Sequence, residues 1–443
     1  MYRTAIKILI DWKNNPNRLP MIIKGARQVG KTWMMKEFGK RYFNNIAYIN
    51  FDNDTKGDLK TLFDGDFSVE RIVLGLSMAS GIKIEPEKTL IILDEIQNVP
   101  RALQSLKYFA EEQENKKEKY CIVAAGSLLG IALHQGTSFP VGKVDSMTLY
   151  PMTFIEFLNA LDKKDFIDLL NRNDFQMIAS FKSKYIEFLK LYYFIGGMPA
   201  AVAKYISTKN LNSVRETQLK LLSDYAQDFS KHAPNEVVPR INMVWNGIIA
   251  QLAKENKKFV YGVLKKGARA KDFEIAIQWL IDCGLCYKID RINKGNVPLN
   301  AYLDFSSFKL YMLDVGLIGA MAQIDEKTVL QGNDIFTEFK GALTEQYVCQ
   351  QLISCLNKKP FYWSAENSSG EIDFIIQHNG KVIPLEVKAE ENLNAKSLKF
   401  FVEKYELGYG VRCSMSNFRK EEKIINIPLY CVSQLLDICE DKI

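Results

Sequence analysis

With 443 residues, 47% of them apolar and 25% charged, the chain has the composition of a globular protein long enough for two or three domains, each with its own core. The net charge of +6 permits contact with nucleic acid without arguing for it, because lysine and arginine are spread along the chain. No apolar run reaches the about 18 residues needed to span a bilayer, and residues 1–20 lack an apolar core followed by a small-residue cleavage site, so a cytoplasmic chain with no membrane partner is expected. The eight cysteines (121, 283, 286, 349, 355, 413, 431, 439) are scattered, and the close pair Cys283 and Cys286 has no histidine nearby. They read as free thiols in a reducing compartment rather than as a metal site.

Residues 1–20 read as a short helix over 5–12 and a polar turn containing Pro16, leading into MIIKGARQVGKTWM at 21–34. Met21, Ile22 and Ile23 are an apolar strand, and apolar residues at 33, 34, 35, 38, 42 and 43 follow at close to helical spacing. Between them Gly25, Gly30, Lys31 and Thr32 fill the P-loop pattern G-x-x-x-x-G-K-[ST]. Such a loop wraps backbone N–H groups, here those of Gly25, Ala26, Arg27, Gln28, Val29 and Gly30, around nucleotide phosphates. Lys31 then serves catalysis by reaching the β- and γ-phosphates, and the Thr32 hydroxyl helps to hold the metal, so ATP and Mg2+ are the expected cofactors.

A second strand, NIAYINFDND, ends in Asp52 and Asp54, for which no role follows. After a helical stretch and a turn at 83–88, KTLIILDEIQNVP carries an unbroken near-apolar run over 89–93, as in a sheet covered on both faces. That strand delivers Asp94 and Glu95 to its C-terminal end, where ligands sit in open α/β sheets. Asp94 is expected in the Mg2+ shell and Glu95 as the base that polarises water against the γ-phosphate, so hydrolysis rather than binding alone is expected. A helix over 100–112, with Leu103, Leu106 and Phe109 along one side, precedes the solvated tract ENKKEKY and the buried strand of YCIVAAGSLLG. Ser127 at its end either stands beside the γ-phosphate as a catalytic sensor or caps a helix over 128–133. A strand over 146–150 and a helix opened by residues 151–153 complete an α/β domain over 1–160.

Residues 161–261 are helical in pattern, broken at Gly196, Gly197 and Pro199. Residues 262–330 then read as a turn, a helix over 270–283 and two strands around a polar loop, the outline of a winged-helix module. It either touches duplex DNA or serves only as packing; Lys265, Lys266, Arg269 and Lys271, at the start of its helix, make DNA a candidate partner.

The last segment, 331–443, carries a second constellation. A helix over 339–353 holds Glu345 near its middle, and a hairpin follows with Asp373 on its first strand and Glu386 and Lys388 two apart on its second, hence on one face. Glu345, Asp373 and Glu386 are expected to hold a divalent metal, and Lys388 to steady the attacking water or the developing phosphorane charge, as in a metal-dependent phosphodiesterase. The other reading is an amphipathic hairpin whose inner face keeps a Glu–Lys pair.

The motifs GARQVGKT (25–32), LIILDEIQ (90–97), AAGSLLG (124–130), LYPMTFIEFL (149–158), YFIGGMPAAV (193–202), LYMLDVGLI (310–318) and FKGALTEQYV (339–348), with the GEIDFII and PLEVKA pair, occur in order along nearly the whole chain. Together they resemble the bacterial and archaeal AAA-type ATPases that carry a C-terminal restriction-endonuclease-like domain. The resemblance implies an α/β chain: an AAA+ type P-loop domain, a helical and winged-helix middle, and a C-terminal α/β domain similar to the Holliday-junction resolvase and restriction-enzyme core. Two departures stand out. Relatives often carry an arginine around Lys143, where it looks like a finger completing a neighbour's ATP site; a lysine cannot present that planar fork. Either hydrolysis is slow or the finger is Arg172, Arg240 or Arg269, and a homo-oligomer is the expected assembly. The second departure is GEID in place of a proline–aspartate pair.

Overall fold

A computed structural model of the chain describes residues 1–54, 57–114, 116–127, 129, 139–254, 257–331, 337–356, 359–365, 370–391 and 393–441. The chain divides into two compact units, one of residues 3–150 with 282–284, the other of residues 1–2, 151–281 and 285–443.

In the first unit, strands β1 (Met21–Lys24), β2 (Asn45–Asn50), β3 (Thr89–Asp94), β4 (Cys121–Ala125) and β5 (Asp145–Thr148) form a sheet of order β2-β3-β4-β1-β5. Every pairing is parallel. A parallel sheet needs both faces covered, and helices α1 (Ile6–Asn14), α2 (Lys31–Tyr42), α3 (Asp58–Asp64), α4 (Val69–Ser80) and α5 (Pro100–Glu112) belong to the same unit. Strands β3 and β4 are buried at every position, as their apolar runs require. Ile91, Leu93, Ile122 and Ala124 share a core with Phe63, Leu76, Leu103, Leu106 and Phe109. Strand β4 lies between β1 and β3, with Ala125 opposite both Ile23 and Asp94. The C-terminal ends of three parallel strands therefore meet at one edge.

The second unit is mixed. Its helices are α6 (Phe154–Ala160), α7 (Lys164–Asn171), α8 (Phe175–Ser180), α9 (Lys182–Ile195), α10 (Pro199–Thr208), α11 (Leu211–His232), α12 (Val238–Leu252), α13 (Tyr261–Leu264), α14 (Ala270–Asp282), α15 (Val315–Met321), α16 (Glu326–Gln331), α17 (Thr337–Leu356), α18 (Lys396–Lys404) and α19 (Leu435–Asp441). Thr153 starts α6 with a reciprocal capping box: its hydroxyl accepts from Glu156 N at 3.2 Å while the Glu156 carboxylate accepts from Thr153 N at 3.1 Å. Strands β6 (Cys286–Ile292), β7 (Leu303–Met312), β8 (Phe361–Ser364), β9 (Glu371–His378), β10 (Lys381–Val387), β11 (Gly410–Ser414), β12 (Arg419–Lys420) and β13 (Ile424–Pro428) form one sheet of order β12-β13-β11-β10-β9-β8-β6-β7. The hairpin β6–β7, which the sequence outlines as a wing, does not stand free: the other edge of β6 pairs in parallel with β8 at Arg291 and Tyr362. A strand with both edges paired leaves no unmatched N–H and C=O row.

Helix α17 is the joint of this unit. Four polar side chains on it, Glu345, Gln346, Gln350 and Gln351, are at most 5% exposed, and the glutamines answer backbone groups elsewhere. Gln346 accepts from Met312 N at 2.9 Å and donates to Met312 O at 2.6 Å. Gln350 accepts from Val315 N, and Gln351 from Phe154 N, each at 2.9 Å. Asp314, fully buried, accepts from Gly197 N at 2.6 Å, from Gly316 N and Leu317 N at the start of α15, and from Gln350. Burial pushes its carboxyl up to about 6, against those donated hydrogen bonds. Gly196, at φ 74°, could carry no side chain here, since a Cβ would stand 2.1 Å from Asp314 Oδ1. Replacing Asp314 by alanine leaves the buried Gly197 N–H without an acceptor; we expect Asp314→Ala to lower stability by about 2–4 kcal/mol, read as a shift in the urea midpoint of full-length protein.

Candidate functional site

The glycine-rich loop closes the gap between β1 and α2. Gly25 has φ 140° and a Cβ there would stand 2.2 Å from Leu149 O, so the loop passes too close to the chain after β5 for any side chain. Gly30, at φ 95°, is the left-handed N-cap of α2. Arg3, buried, donates to Val29 O at 2.8 Å and braces the loop from outside. Lys31 donates to Gly25 O and Ala26 O, both at 2.9 Å, folding back on its own loop. Burial lowers its pKa to about 8, although Glu95 and Asp94 pull the other way.

Asp94 ends β3, 3% exposed. Its Oδ2 accepts from the Thr32 hydroxyl at 2.6 Å and from Tyr48 OH at 3.0 Å, while Oδ1 is buried with no hydrogen-bond partner among the described residues. Burial raises the Asp94 pKa against these two hydrogen bonds. Tyr48 comes from β2, and its ring lies 3.6 Å from Lys36 Nζ of α2. Burial, with Asp94, pushes the Tyr48 phenol up to about 12, so it stays a donor. Glu95 takes a left-handed backbone, φ 53°. Its Oε2 accepts from Gln97 Nε2 at 2.7 Å and from the Ser127 hydroxyl at 3.1 Å. Ser127 therefore anchors the expected base; the helix read over 128–133 falls outside the described residues except at Leu129. The sequence motifs pick out Lys31, Thr32, Asp94, Glu95 and Ser127, which one sheet edge gathers. They miss Arg3 and Tyr48, which act through contacts distant in sequence, and give no role to Gln97, two residues from Glu95.

Lys143 pairs with Glu114 at 3.7 Å and precedes β5, at the edge where the parallel strands begin. The phosphate loop lies at the opposite edge, so Lys143 does not reach its own ATP site. Arg172, Arg240 and Arg269 are exposed residues of the other unit.

The C-terminal constellation differs from the expected one. Glu345 does not stand free for a cation: it pairs with Lys257 and accepts from Tyr311 OH at 3.1 Å, with Lys309 Nζ at 3.9 Å. Lys309, fully buried on β7, also pairs with Glu371. Burial opposes the charge on Lys309, yet Glu371, Glu345 and Asp373 together raise its pKa. Asp373 Oδ2 accepts from Val387 N at 2.7 Å, and burial with the neighbouring Glu345 drives its carboxyl well above the ordinary range. Glu386 Oε1 pairs with Lys388 Nζ at 2.7 Å, leaving Oε2 buried without a partner among the described residues. No group of three or more His, Cys, Asp or Glu side chains among the described residues is placed to hold a metal ion. The expected trio of Glu345, Asp373 and Glu386 is thus corrected: lysines meet the buried charge of Glu345, because β7 brings Lys309 beside α17 and β9.

The self-folded lysine has a measurable consequence. Phosphate binding requires charged Lys31, while the free protein holds it with a pKa near 8. ATP binding should therefore take up about half a proton at pH 8 and more at pH 9, with affinity falling as pH rises through that window. Calorimetry in two buffers of different ionisation enthalpy reads the uptake; none at pH 8.5 would contradict this lysine environment.

Residues 17–158 match the AAA domain family, and residues 186–328 and 340–432 each match a domain of unknown function. No curated protein matches the chain. Among solved structures, the Walker-type ATPase PABY2304 of Pyrococcus abyssi is similar at 12% identity and a TM-score of 0.44, covering 72% of this chain and 94% of that one. The ADP form of the ORC2 protein of Aeropyrum pernix is similar at 14% identity and a TM-score of 0.30, covering 74% and 92%. The ORC1 protein of Aeropyrum pernix, in complex with DNA, is similar at 12% identity and a TM-score of 0.27, covering 72% and 90%. No described helix is long and apolar enough to cross a membrane. The stretch over residues 17–158, with its loop, paired acids and parallel sheet, is an AAA-type P-loop ATPase domain.

Proposed function

We propose that this ATPase works with Mg2+ and that its nucleotide state governs a C-terminal half that binds nucleic acid. The observation that carries the first part is the half-closed carboxylate of Asp94, with its open Oδ1 beside the Thr32 hydroxyl. Thr32 and Asp94 are oxygen ligands of the kind that suit a hard cation. Bound Mg2+ would neutralise charge on the β- and γ-phosphates. Glu95, one residue on, orients and deprotonates the attacking water once Ser127 and Gln97 release its carboxylate. The nucleic-acid part is supported by Lys265, Lys266, Arg269 and Lys271, all exposed around the turn that opens α14. A homo-oligomer belongs to the same reading, since Lys143 is turned to Glu114 and a neighbouring copy could supply the missing cation.

A second reading keeps the restriction-endonuclease-like domain as a nuclease. It is favoured by the orphaned Glu386 Oε2 beside Lys388, on the strand next to Asp373. Asp373, Glu386 and Lys388 would then be the reacting set without Glu345.

Phosphate release by the full chain, with and without DNA, tests the first reading. Lys31→Ala is expected to lose ATP turnover; Glu95→Gln should keep ATP affinity within about threefold while turnover falls by about 100-fold or more. Wild-type turnover in Glu95→Gln would remove the assignment of the base, and turnover indifferent to every DNA form would remove the coupling. Plasmid cleavage in Mg2+ or Mn2+ that disappears in Lys388→Ala would establish the second reading in place of a non-cleaving domain.

A further inference from the structure

In the second unit a cavity of about 570 Å³ opens between β8 and α18. Its wall includes Arg291, Trp363, Lys396, Ser397, Phe400 and Lys404, with no carboxylate among the described lining residues. Of its three cations, Arg291 pairs with Asp304, while Lys396 and Lys404 leave positive charge that suits an anion. The aromatic side chains add a second requirement. Phe400 is 52% exposed, and its centroid lies 6.3 Å from that of the buried Trp363, tilted by 35°. Lys404 Nζ stands 5.3 Å from the Trp363 ring and 5.6 Å from the Phe400 ring, placing positive charge beside the exposed aromatic face.

The phosphate end has its own elements. Lys396 and Ser397 are the first residues of α18, a nine-residue helix with no side-chain cap at Ala395 and no acid in its first turn. Its first N–H groups and its dipole therefore favour an anion. Across the cavity, Arg291 is fixed by Asp304 at 3.1 Å and by Ser364 O at 2.7 Å, while its Nε is buried without a hydrogen-bond partner among the described residues.

We propose that this cavity binds the base–phosphate unit of a nucleotide, the base stacked on Phe400 and the phosphate held by Lys396, Ser397 and Arg291. The proposal rests on the nucleic-acid reading above and gives it a site and a chemistry. An exposed ring flanked by lysines accepts any base face and so takes single strands without reading sequence. The same chemistry fits a free nucleotide or one unit of a single strand.

Fluorescence anisotropy with the full chain tests it, the P-loop site being saturated with ADP and Mg2+. The probes are a labelled ten-residue oligothymidylate and, as competitor, thymidine monophosphate. Phe400→Ala is expected to weaken the oligonucleotide about tenfold, while Phe400→Trp stays within about twofold because it keeps the stacking face. Lys396→Glu should weaken binding several-fold and lower the salt slope by about one. ATP turnover without DNA stays at the parent level in Phe400→Ala. Competition by the mononucleotide as strong as that by unlabelled oligonucleotide assigns the cavity to a free nucleotide; competition by the oligonucleotide alone assigns it to a strand. Parent-like binding of both probes by Phe400→Ala and Lys396→Glu, or no binding of either probe, overturns the proposal. If ATP turnover still responds to DNA in that case, nucleic acid binds elsewhere, and the cavity fails while the wider reading stands.

Discussion

The hydrogen bond from Thr32 to Asp94 joins the start of α2 to the end of β3, and the nucleotide site depends on that joint. It exists because β4 lies between β1 and β3, which sets the loop and the acid one strand apart at the same sheet edge. The intervening strand is useful in itself: its last residues carry Ser127 to Glu95. Gly126 lets this happen, for a Cβ at that position would stand 2.0 Å from Gln97 Oε1. Parallel pairing thus does more than build a core. It brings three chain segments, far apart in sequence, to one line of backbone ends, the place where ligands sit in open α/β sheets.

That edge was largely legible in the sequence, because its chemistry is local. The P-loop spans eight consecutive residues, and Asp94 and Glu95 follow an unbroken apolar run that can only be a buried strand. Tyr48 was not legible: it alternates on β2 as an ordinary aromatic, and only the pairing of β2 with β3 turns it toward Asp94. Arg3 was hidden for the same reason, lying before the first strand yet donating to Val29 O. Tyr48 acts through strand register and Arg3 through a tertiary contact, neither of which a single sequence specifies. The wing illustrates the converse. Its helix and two strands were readable from pattern, but that β6 shares its other edge with β8 depends on residues about seventy positions on.

The motifs YFIGGMPAAV and LYMLDVGLI in the middle of the chain are joints. Gly196 and Gly197, Asp314, and Gln350 of α17 meet in one buried set, in which Asp314 accepts from two chain segments and from a third element's amide. A buried polar group without a partner costs about 1–3 kcal/mol, so such a set tolerates few substitutions and fixes how α9, α15 and α17 come together. Glycine is needed at Gly197 as well, since a Cβ there would stand 2.1 Å from Met152 O.

Carboxylates separate the two kinds of site in this chain. Glu345, Glu371 and Asp373 are three acids set around two lysines, Lys257 and Lys309, and burial with the neighbouring Glu345 raises the pKa of Asp373. An internal ammonium ion does for these acids what a metal ion would do, and takes the place where one would sit. The signal was present as Lys309 and Tyr311, two apart on β7 and so on one face, but the sequence offered no partner for that face until α17 packed on it. Asp94 is the opposite case. Neutral donors, Thr32 and Tyr48, hold one oxygen and add no charge, and Lys31 is turned to carbonyls of its own loop. Its other oxygen is buried, with no hydrogen-bond partner among the described residues. Compensation from within marks the first kind of site, and half compensation in a rigid frame marks the second. Glu386, paired with Lys388 through one oxygen and without a hydrogen-bond partner on the other among the described residues, falls between the two.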